Sequence, residues 1–283
     1  MIKHFLKDKF LIVKVRNRFS PSVQISQRSL FLYYQELSKK NRLPAISETG
    51  FRVFSQFEED GKLLFIFSVI GMENKIFIEI GSDDGVNSNS ANLYFNFGWY
   101  GLFIDSNRKS INRGKKFFSK YPHPWYYKPK FVCAKVTREN INELIEKSGF
   151  KGEVGLLSMD IDGNDYWIWD AIKIIEPKVV IIETHNEFGL KNIVVPYDPD
   201  YLFPGKHPAY HGASPVAMQK LANKKGYRLV GANELGFNLI FVKNGLADNE
   251  IPEVAIESVL NHPSVIEGYN KYYPIKDWEY IEG

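Results

Sequence analysis

Short apolar runs alternate with longer segments of mixed polarity along most of the chain. An apolar run of about four to eight residues is typical of a buried strand, and apolar residues about three or four positions apart are typical of a helix. Regular alternation of the two favours an α/β fold with a mostly parallel sheet. The predicted strands lie near residues 76–80, 100–105, 130–135, 154–159, 178–183, 227–230 and 237–242, and the last two form a hairpin.

A glycine turn follows the first predicted strand, within the segment Ile76–Asn87. Gly81 permits a tight turn, and Gly85 lets the backbone approach a ligand closely. A strand, a glycine turn and a helix start are typical of nucleotide binding. Asp83 replaces the middle glycine of a dinucleotide fingerprint, and its charge would repel a pyrophosphate. The turn therefore favours a ligand with cations and hydroxyls, such as S-adenosylmethionine (SAM), over the nicotinamide cofactor of a dehydrogenase.

Two other segments bear on the same ligand. The second strand ends at Asp105, twenty residues beyond Gly85. An acid at this spacing can accept hydrogen bonds from both hydroxyls of a ribose, although it can also simply cap the next helix. Before the first strand, a helix is predicted near residues 55–70 with Ser55 as its N-cap. One reading is that Gln56 and its neighbours face the cofactor pocket. The other reading is that the acidic residues Glu58, Glu59 and Asp60 stabilise the helix by complementing its dipole.

Potential metal ligands follow the fourth and fifth strands. The fourth runs into the segment Asp160–Asp165, and the fifth ends at Glu183 with His185 two residues later. Because neighbouring parallel strands end at the same sheet edge, these groups are expected to converge into a metal or acid–base site. Such density of oxygen ligands suits a hard divalent cation such as Mg²⁺. Alternatively, one aspartate binds the cofactor and the others cap the next helix.

A long segment near residues 190–213 follows, rich in proline, tyrosine and aspartate. A loop of this length in a compact domain is usually a lid or a substrate-binding segment. Its predicted substrate-binding residues are Tyr197, His207, Tyr210 and His211. The tail beyond the hairpin is acidic and aromatic without clear periodicity, and we expect it to wrap the domain.

Charge is distributed unevenly. Residues 1–43 carry ten Lys and Arg against two acidic residues, a net +8, so the remainder carries −5 of the total +3. A basic arm suits a membrane surface or a polyanionic glycan, although it can also be a solvated leader. Nucleic acid is disfavoured because the basic residues do not continue into the main domain. The single cysteine, Cys133, excludes an internal disulfide, indicates a reducing compartment, and is predicted to be a small buried residue.

Several motifs occur together in a fixed order. They are Ser55-Gln56-x-x-Glu59-Asp60-Gly61, Phe77-Ile78-Glu79-Ile80-Gly81-x-x-x-Gly85, Asp160-Ile161-Asp162-Gly163-Asn164-Asp165-Tyr166, Gly212-Ala213-Ser214, Gly226-Tyr227 and Gly236-Phe237-Asn238. In this set the chain resembles the FkbM-like group of class I SAM-dependent methyltransferases over residues 52–245. The resemblance implies a Rossmann-like fold, with a mostly parallel seven-stranded sheet and helices on both faces. The expected domain covers 51–245, flanked by a basic appendage at 1–50 and an extension at 246–283.

The resemblance also assigns roles to residues. Glu79, Gly81 and Gly85 would lie along the methionine and ribose of SAM, Asp105 would bind the ribose, Ala134 would lie near the adenine and Gln56 near the methionine end. Asp83 and Asp160 complete the expected cofactor set. The Asp160-x-Asp162 pair is similar to that of metal-dependent sugar O-methyltransferases, which implies metal binding by Asp160 and Glu183, with Asp162 or His185 as base. Those enzymes have two adjacent acids after the fifth strand, whereas this chain has one, so His185 or Asn186 would substitute as ligand.

The expected function is O-methylation of a carbohydrate or glycan-linked acceptor in surface polysaccharide biosynthesis. SAM is the expected cofactor, with Mg²⁺ or another divalent cation. The expected location is the cytoplasm. If the basic arm binds the membrane or a glycan-assembly complex, the protein would lie at the inner face of the membrane. The alternative is a catalytically silent SAM-fold or nucleotide-sugar-binding module in such a complex.

Overall fold

The computed structural model describes residues 15–121 and 127–283, which divide into two compact units between Ala134 and Lys135. The first unit contains three parallel strands, with β2 paired to both β1 and β3. Apart from Ile76 and Tyr100 at the strand starts, the apolar side chains of β1 and β2 are fully buried, as the runs predict. The elements are α1 (Pro21–Lys39), α2 (Glu59–Ile70), β1 (Ile76–Ile80), α3 (Ala91–Phe97), β2 (Tyr100–Asp105), α4 (Arg108–Phe118) and β3 (Lys130–Cys133).

The second unit contains the other four strands. β4 pairs with β5 in parallel, whereas β7 is antiparallel to both β5 and β6. The elements are α5 (Ile141–Lys147), β4 (Gly152–Met159), α6 (Asp165–Ala171), β5 (Ile175–Glu183), α7 (Pro215–Lys224), β6 (Tyr227–Ala232), β7 (Asn238–Lys243), α8 (Ile256–Val259) and α9 (Pro263–Tyr272).

The strand order is β3-β2-β1-β4-β5-β7-β6. It confirms the predicted α/β class and the mostly parallel seven-stranded sheet, flanked by helices and carrying the predicted terminal hairpin. Among the helices of the described residues, none combines the length and apolar character needed to cross a bilayer. The first 14 residues of the predicted basic arm, with Lys3, Lys7, Lys9 and Lys14, lie outside the described residues, and the proposed domain limits stay predictions.

The predicted start of α2 is wrong by one turn. The helix begins at Glu59, so Ser55 is not its N-cap residue, although Ser55 Oγ accepts a hydrogen bond from the Asp60 N–H of the first turn at 3.3 Å. Instead, the Asp60 carboxylate accepts hydrogen bonds from the backbone N–H groups of Val53, Phe54 and Ser55, at 2.7, 2.5 and 2.8 Å. Because this carboxylate binds the preceding segment, residues 53–55 curl around it rather than extending the helix.

One further expectation is wrong, and the tail contains helices that the sequence did not predict. Cys133 is exposed rather than buried: it is the last residue of β3, which is an edge strand of the sheet formed by the described residues. The tail carries more regular structure than its sequence suggests, since α8, α9 and a 3₁₀ turn at Tyr273–Ile275 lie within it. Pro263 at the start of α9 sets helical backbone geometry there, and the His262 side chain accepts a hydrogen bond from the Ser264 N–H at 3.1 Å.

Candidate functional site

The glycine turn after β1 needs its glycines for geometric reasons. Gly81 and Gly85 have φ angles of +80° and +71°, in the region that favours glycine. A Cβ atom on Gly85 would also lie 3.0 Å from the Phe103 ring. Asp83, between them, has a φ of +48°. The turn is therefore a tight backbone structure that side chains at the two glycine positions would disturb.

Asp105, at the end of β2, lies against this turn. Its Oδ2 accepts a hydrogen bond from the Asp83 N–H at 2.8 Å, and its Oδ1 accepts one from the Asn107 N–H at 2.7 Å. The side chain that caps α4 is Asn107. Burial raises the pKa of Asp105, and the two hydrogen bonds oppose that rise. Each carboxylate oxygen keeps a lone pair, so Asp105 can still accept hydrogen bonds from a ligand.

An ion pair that the sequence did not reveal fixes the other side of the turn. Arg113 of α4 places Nε 2.6 Å from Asp84 Oδ2 and Nη2 3.1 Å from Asp83 Oδ2. Asp84 also accepts a hydrogen bond from the Val86 N–H at 3.0 Å. The partners are 29 and 30 positions apart, so no local pattern could have paired them.

The remaining cofactor candidates of the first unit differ in exposure. Glu79 is buried, and its carboxylate accepts hydrogen bonds from the N–H groups of Asn89 and Ser90 at 3.2 and 3.0 Å. Burial raises the pKa of Glu79 to about 7 despite these bonds. Gln56 is exposed. The N–H of Ala134 donates to the Asp105 carbonyl oxygen at 3.0 Å. Their contacts with a cofactor stay predictions.

In the second unit, three carboxylates converge as the sequence predicts. Ligand oxygens of Asp160, Asp162 and Glu183 all lie within 4.8 Å of one another, and we call this group the acidic cluster. Burial, followed by the charges of Asp160, Asp165 and Asp162, raises the pKa of Glu183 well above its usual range. Carboxylates this close repel one another unless a proton or a cation lies between them. Their oxygens are the ligands that Mg²⁺ and Mn²⁺ prefer, so the acidic cluster fits a divalent cation.

Asp165 shapes the loop that presents the acidic cluster. Its carboxylate is buried and accepts hydrogen bonds from the N–H groups of Ile161 and Gly163, at 3.0 and 3.1 Å. Burial and the charge of Asp160 raise its pKa to about 7. Within the same loop Asp162 has a φ of +55°, an unusual conformation for a non-glycine residue. Asp165, the third acid of the motif, thus fixes the backbone of the loop that carries the other two.

His185 lies between two side chains that the sequence analysis did not link to it. Its Nδ1 is 3.1 Å from Glu187 Oε2, and its Nε2 is 2.8 and 2.7 Å from the two ring nitrogens of His211. Burial would raise the pKa of Glu187, but the hydrogen bond and charge of His185 lower it to about 2. Burial, followed by His185, lowers the pKa of His211 to about 3. Glu187 therefore lies beside one nitrogen of an imidazole whose other nitrogen faces His211.

Two cavities in the second unit contain the predicted substrate residues. The first, of about 550 Å³, is lined by Asp162, Glu183 and His185 together with His207 and His211. The second, of about 490 Å³, is lined by Tyr197, Tyr201, Tyr210 and His211, with acidic residues Asp198, Asp200 and Glu279. His211 lines both cavities.

Tyr201 was not among the predicted site residues. Burial, followed by the charges of Asp162, Glu183 and Asp165, raises its pKa to about 12. The sequence signal that could have found it is weak, because its loop contains several tyrosines.

Comparisons with known proteins gave structural neighbours only. No protein-family model matches the chain, and no curated protein matches it significantly. The O-methyltransferase TomG of Streptomyces achromogenes, involved in tomaymycin synthesis and solved with SAM, is 13% identical, with a TM-score of 0.42 over 79% of this chain and 96% of its own. An O-methyltransferase family protein of Burkholderia thailandensis is 9% identical, with a TM-score of 0.40 over 84% of this chain and 71% of its own.

A third neighbour is a SAM-dependent methyltransferase of Methanosarcina mazei. It is 14% identical, with a TM-score of 0.38 over 59% of this chain and 92% of its own. The likeness to the FkbM-like group stays a prediction, and we argue the function from the residues of the site.

Proposed function

We propose that the chain is a SAM-dependent O-methyltransferase. The observation that carries this proposal is the Asp105 carboxylate, which lies across the glycine turn of β1 and accepts a hydrogen bond from Asp83 N–H. A turn that presents backbone groups, with a carboxylate beside it, suits a ligand carrying a ribose and positive charges. The strand order, in which β7 is antiparallel to both of its neighbours, is in keeping with the class I fold that the sequence resemblance implies.

SAM, when bound, supplies a methyl group on a positively charged sulfur. In this proposal Asp105 accepts hydrogen bonds from the ribose hydroxyls, and Gly81 and Gly85 keep the turn open to the ligand. Arg113 holds Asp83 and Asp84, so the turn keeps its shape. The chain aligns the reacting groups, which is a large part of the catalysis expected for such a transfer.

The acidic cluster and His185 supply the acceptor chemistry in this proposal. An acceptor hydroxyl has a pKa far above neutral, so it must lose its proton as it reacts. Asp162 or His185 takes that proton, and Asp160 and Glu183 would hold a divalent cation. Bound there, a divalent cation would supply charge stabilisation for the hydroxyl oxygen as it loses its proton.

We propose a carbohydrate or glycan-linked acceptor. Support comes from the second cavity, in which tyrosine rings and carboxylates lie together. Such a lining offers flat apolar faces and hydrogen-bond acceptors, which suit a sugar ring and its hydroxyls. Polysaccharide biosynthesis, a cytoplasmic location and a membrane or glycan-assembly contact through the basic arm remain part of the proposal.

Calorimetric titration of the purified chain with SAM tests the cofactor. We expect binding by the wild type and an affinity at least about tenfold lower for Asp105→Ala, because hydrogen bonds to a charged group are lost. Asp277→Ala, which removes an exposed carboxylate, is the matched control and should bind as the wild type does. Equal affinity of Asp105→Ala and the wild type would contradict the assigned pocket.

Metal dependence tests the acceptor chemistry. With radiolabelled SAM and glycan extracts as acceptors, we expect methyl transfer that a chelator abolishes and Mg²⁺ or Mn²⁺ restores. Glu183→Gln should weaken Mn²⁺ binding, because one of the three charges is removed. Transfer that is insensitive to the chelator would remove the cation from the mechanism. SAM binding without transfer to any glycan fraction would instead favour a silent binding module.

A further inference from the structure

We propose that Tyr201 is a further active-site residue, whose hydroxyl donates a hydrogen bond to the oxygen that the cation of the acidic cluster holds. That oxygen belongs to a water molecule in the free enzyme and to the acceptor when it binds. This inference rests on the proposed cation site and adds to it a group that lies in the loop at residues 190–213.

Glycines on both edges fix the Tyr201 ring. A Cβ atom on Gly163 would lie 2.5 Å from Tyr201 Cε1, and one on Gly205 would lie 2.6 Å from its Cε2. Gly163 directly follows Asp162 of the acidic cluster. The Tyr201 ring therefore packs against the backbone of the loop that carries the acidic cluster. A residue with a side chain at position 163 or 205 would collide with the ring.

The hydroxyl of Tyr201 is a buried donor without an acceptor. It has no hydrogen-bond partner among residues 15–121 and 127–283, although its oxygen is shielded from solvent. A buried hydroxyl in that state is costly, and proteins usually satisfy such groups. The ring lies against the position of Gly163, directly after Asp162 of the acidic cluster. Burial, followed by the charges of Asp162 and Glu183, raises the pKa of the Tyr201 hydroxyl. An oxygen bound at the cluster would supply the acceptor that the hydroxyl lacks.

The ring also lies beside the histidine pair. Tyr201 and His211 stack, with ring centroids 5.9 Å apart and planes at 28°, and His211 contacts His185. Tyr201 lines the second cavity, whereas Asp162 and Glu183 line the first. The Tyr201 ring thus stacks on His211, which contacts the proposed base, and borders the residue that follows Asp162.

A phenol at this position has a defined chemical task. It is protonated at neutral pH, so it can donate a hydrogen bond but does not compete for the cation. A donor aimed at an oxygen that becomes negative binds it more strongly as the charge develops. Tyr201 is therefore expected to help hold the water before the acceptor binds and to stabilise the acceptor oxygen as it loses its proton.

The test is a crossed comparison of two tyrosine-to-phenylalanine variants. Tyr201→Phe keeps the ring and removes the unpaired hydroxyl. Tyr227→Phe removes a hydroxyl that donates to the Pro177 carbonyl oxygen at 2.7 Å and lines neither cavity. Mn²⁺ affinity is measured by electron paramagnetic resonance titration of the full chain, and melting temperature is measured without metal.

We expect Mn²⁺ affinity to fall about fivefold in Tyr201→Phe, the equivalent of one ordinary hydrogen bond, and to stay unchanged in Tyr227→Phe. The melting temperature without metal should be unchanged or higher in Tyr201→Phe, and it should be lower in Tyr227→Phe. A phenylalanine that merely loosened the loop would lower the melting temperature of Tyr201→Phe, and that result would contradict the inference.

The outcomes separate this inference from the function on which it rests. If the wild type binds SAM and Mn²⁺ and Tyr201→Phe binds Mn²⁺ equally well, the role of Tyr201 is overturned while the proposed function stands. If the wild type binds SAM but not Mn²⁺, the cation site and the role of Tyr201 fail together. SAM affinity of Tyr201→Phe should equal that of the wild type, which checks that the variant is folded.

Discussion

The stability of this fold depends on pH through single buried carboxylates such as Glu79. Its pKa of about 7 lies above the ordinary value for glutamate, about 4.3, because the side chain is buried. Between these values the folded chain keeps a proton that the unfolded chain releases. The contribution of Glu79 to stability is therefore full below about pH 4.3 and is lost as the pH rises through 7.

Glu79→Gln should remove this pH dependence. We expect the free energy of unfolding of the wild type to fall by about 2 kcal/mol relative to the variant between pH 5 and pH 8, because only the wild type ionises a buried group. Urea denaturation at the two pH values measures the difference. If the difference in the free energy of unfolding between wild type and variant is the same at pH 5 and pH 8, Glu79 keeps an ordinary pKa in the folded state.

The sequence predicted the acidic residues of the candidate site better than the side chains that pair with them. Asp105, Asp160, Asp162 and Glu183 were visible because each follows an apolar run at a strand end. Arg113 could not be paired with Asp83 and Asp84, because their contact depends on how α4 packs against the turn. Glu187 is a different case, since it lies only two residues after His185 and could have been considered as its partner.

One side chain links whole elements in the second unit. Arg228 of β6 is buried and donates to the carbonyl oxygens of Ile251, Lys243 and Leu246 at 2.8 to 3.1 Å. It also pairs with Asp248 at 2.6 Å. The guanidinium thereby ties β6 to the segment that follows β7.

Arg228→Lys should destabilise the chain by about 2 to 3 kcal/mol. Lysine keeps the charge but lacks the planar fork of donors, so buried carbonyl groups lose their partners. The free energy of unfolding in urea measures the loss, and exposed Arg42→Lys serves as control. SAM and Mn²⁺ affinities should be unchanged, because Arg228 lines neither of the two cavities. A stability equal to that of the control would mean that the hydrogen bonds contribute little.

Elements with a strong hydrophobic signal were the ones that sequence predicted best. The strands were predicted because a buried parallel strand is apolar on both faces. The start of α2 was wrong because the side chain of Asp60, within the helix, determines the structure of the residues before it. Helix α9 was missed because its single apolar face is interrupted by tyrosine and glycine residues.

At the scale of the molecule, contacts between distant segments order the long loop. Val194 pairs with both Ala213 and Ile281 in isolated β-bridges. The Tyr210 hydroxyl donates to the Glu279 carbonyl oxygen at 2.5 Å. Tyr280 packs against a cluster that contains Phe188 and Tyr272. No sequence pattern predicts the contacts of the loop with Glu279 and Ile281, because they join residues about 70 to 90 positions apart, so only the structure shows that the tail orders the loop.

Tyr280→Ala should loosen this arrangement. The loss of a partly buried aromatic ring is expected to lower the free energy of unfolding by about 2 kcal/mol. Limited proteolysis should then cut within residues 190–213 faster than in the wild type. Tyr273→Ala, which truncates a largely exposed ring, is the control and should change neither quantity. Cleavage at the wild-type rate in Tyr280→Ala would show that the β-bridges alone hold the loop.

The two bridges of Val194 also affect the entropy of acceptor binding. A long loop without helix or strand ordinarily loses much conformational freedom when it closes on a ligand, and that loss weakens affinity. Here the backbone is anchored on both sides before any ligand arrives. The loop is therefore already ordered before the acceptor binds. Calorimetry should record only a small unfavourable entropy for acceptor binding.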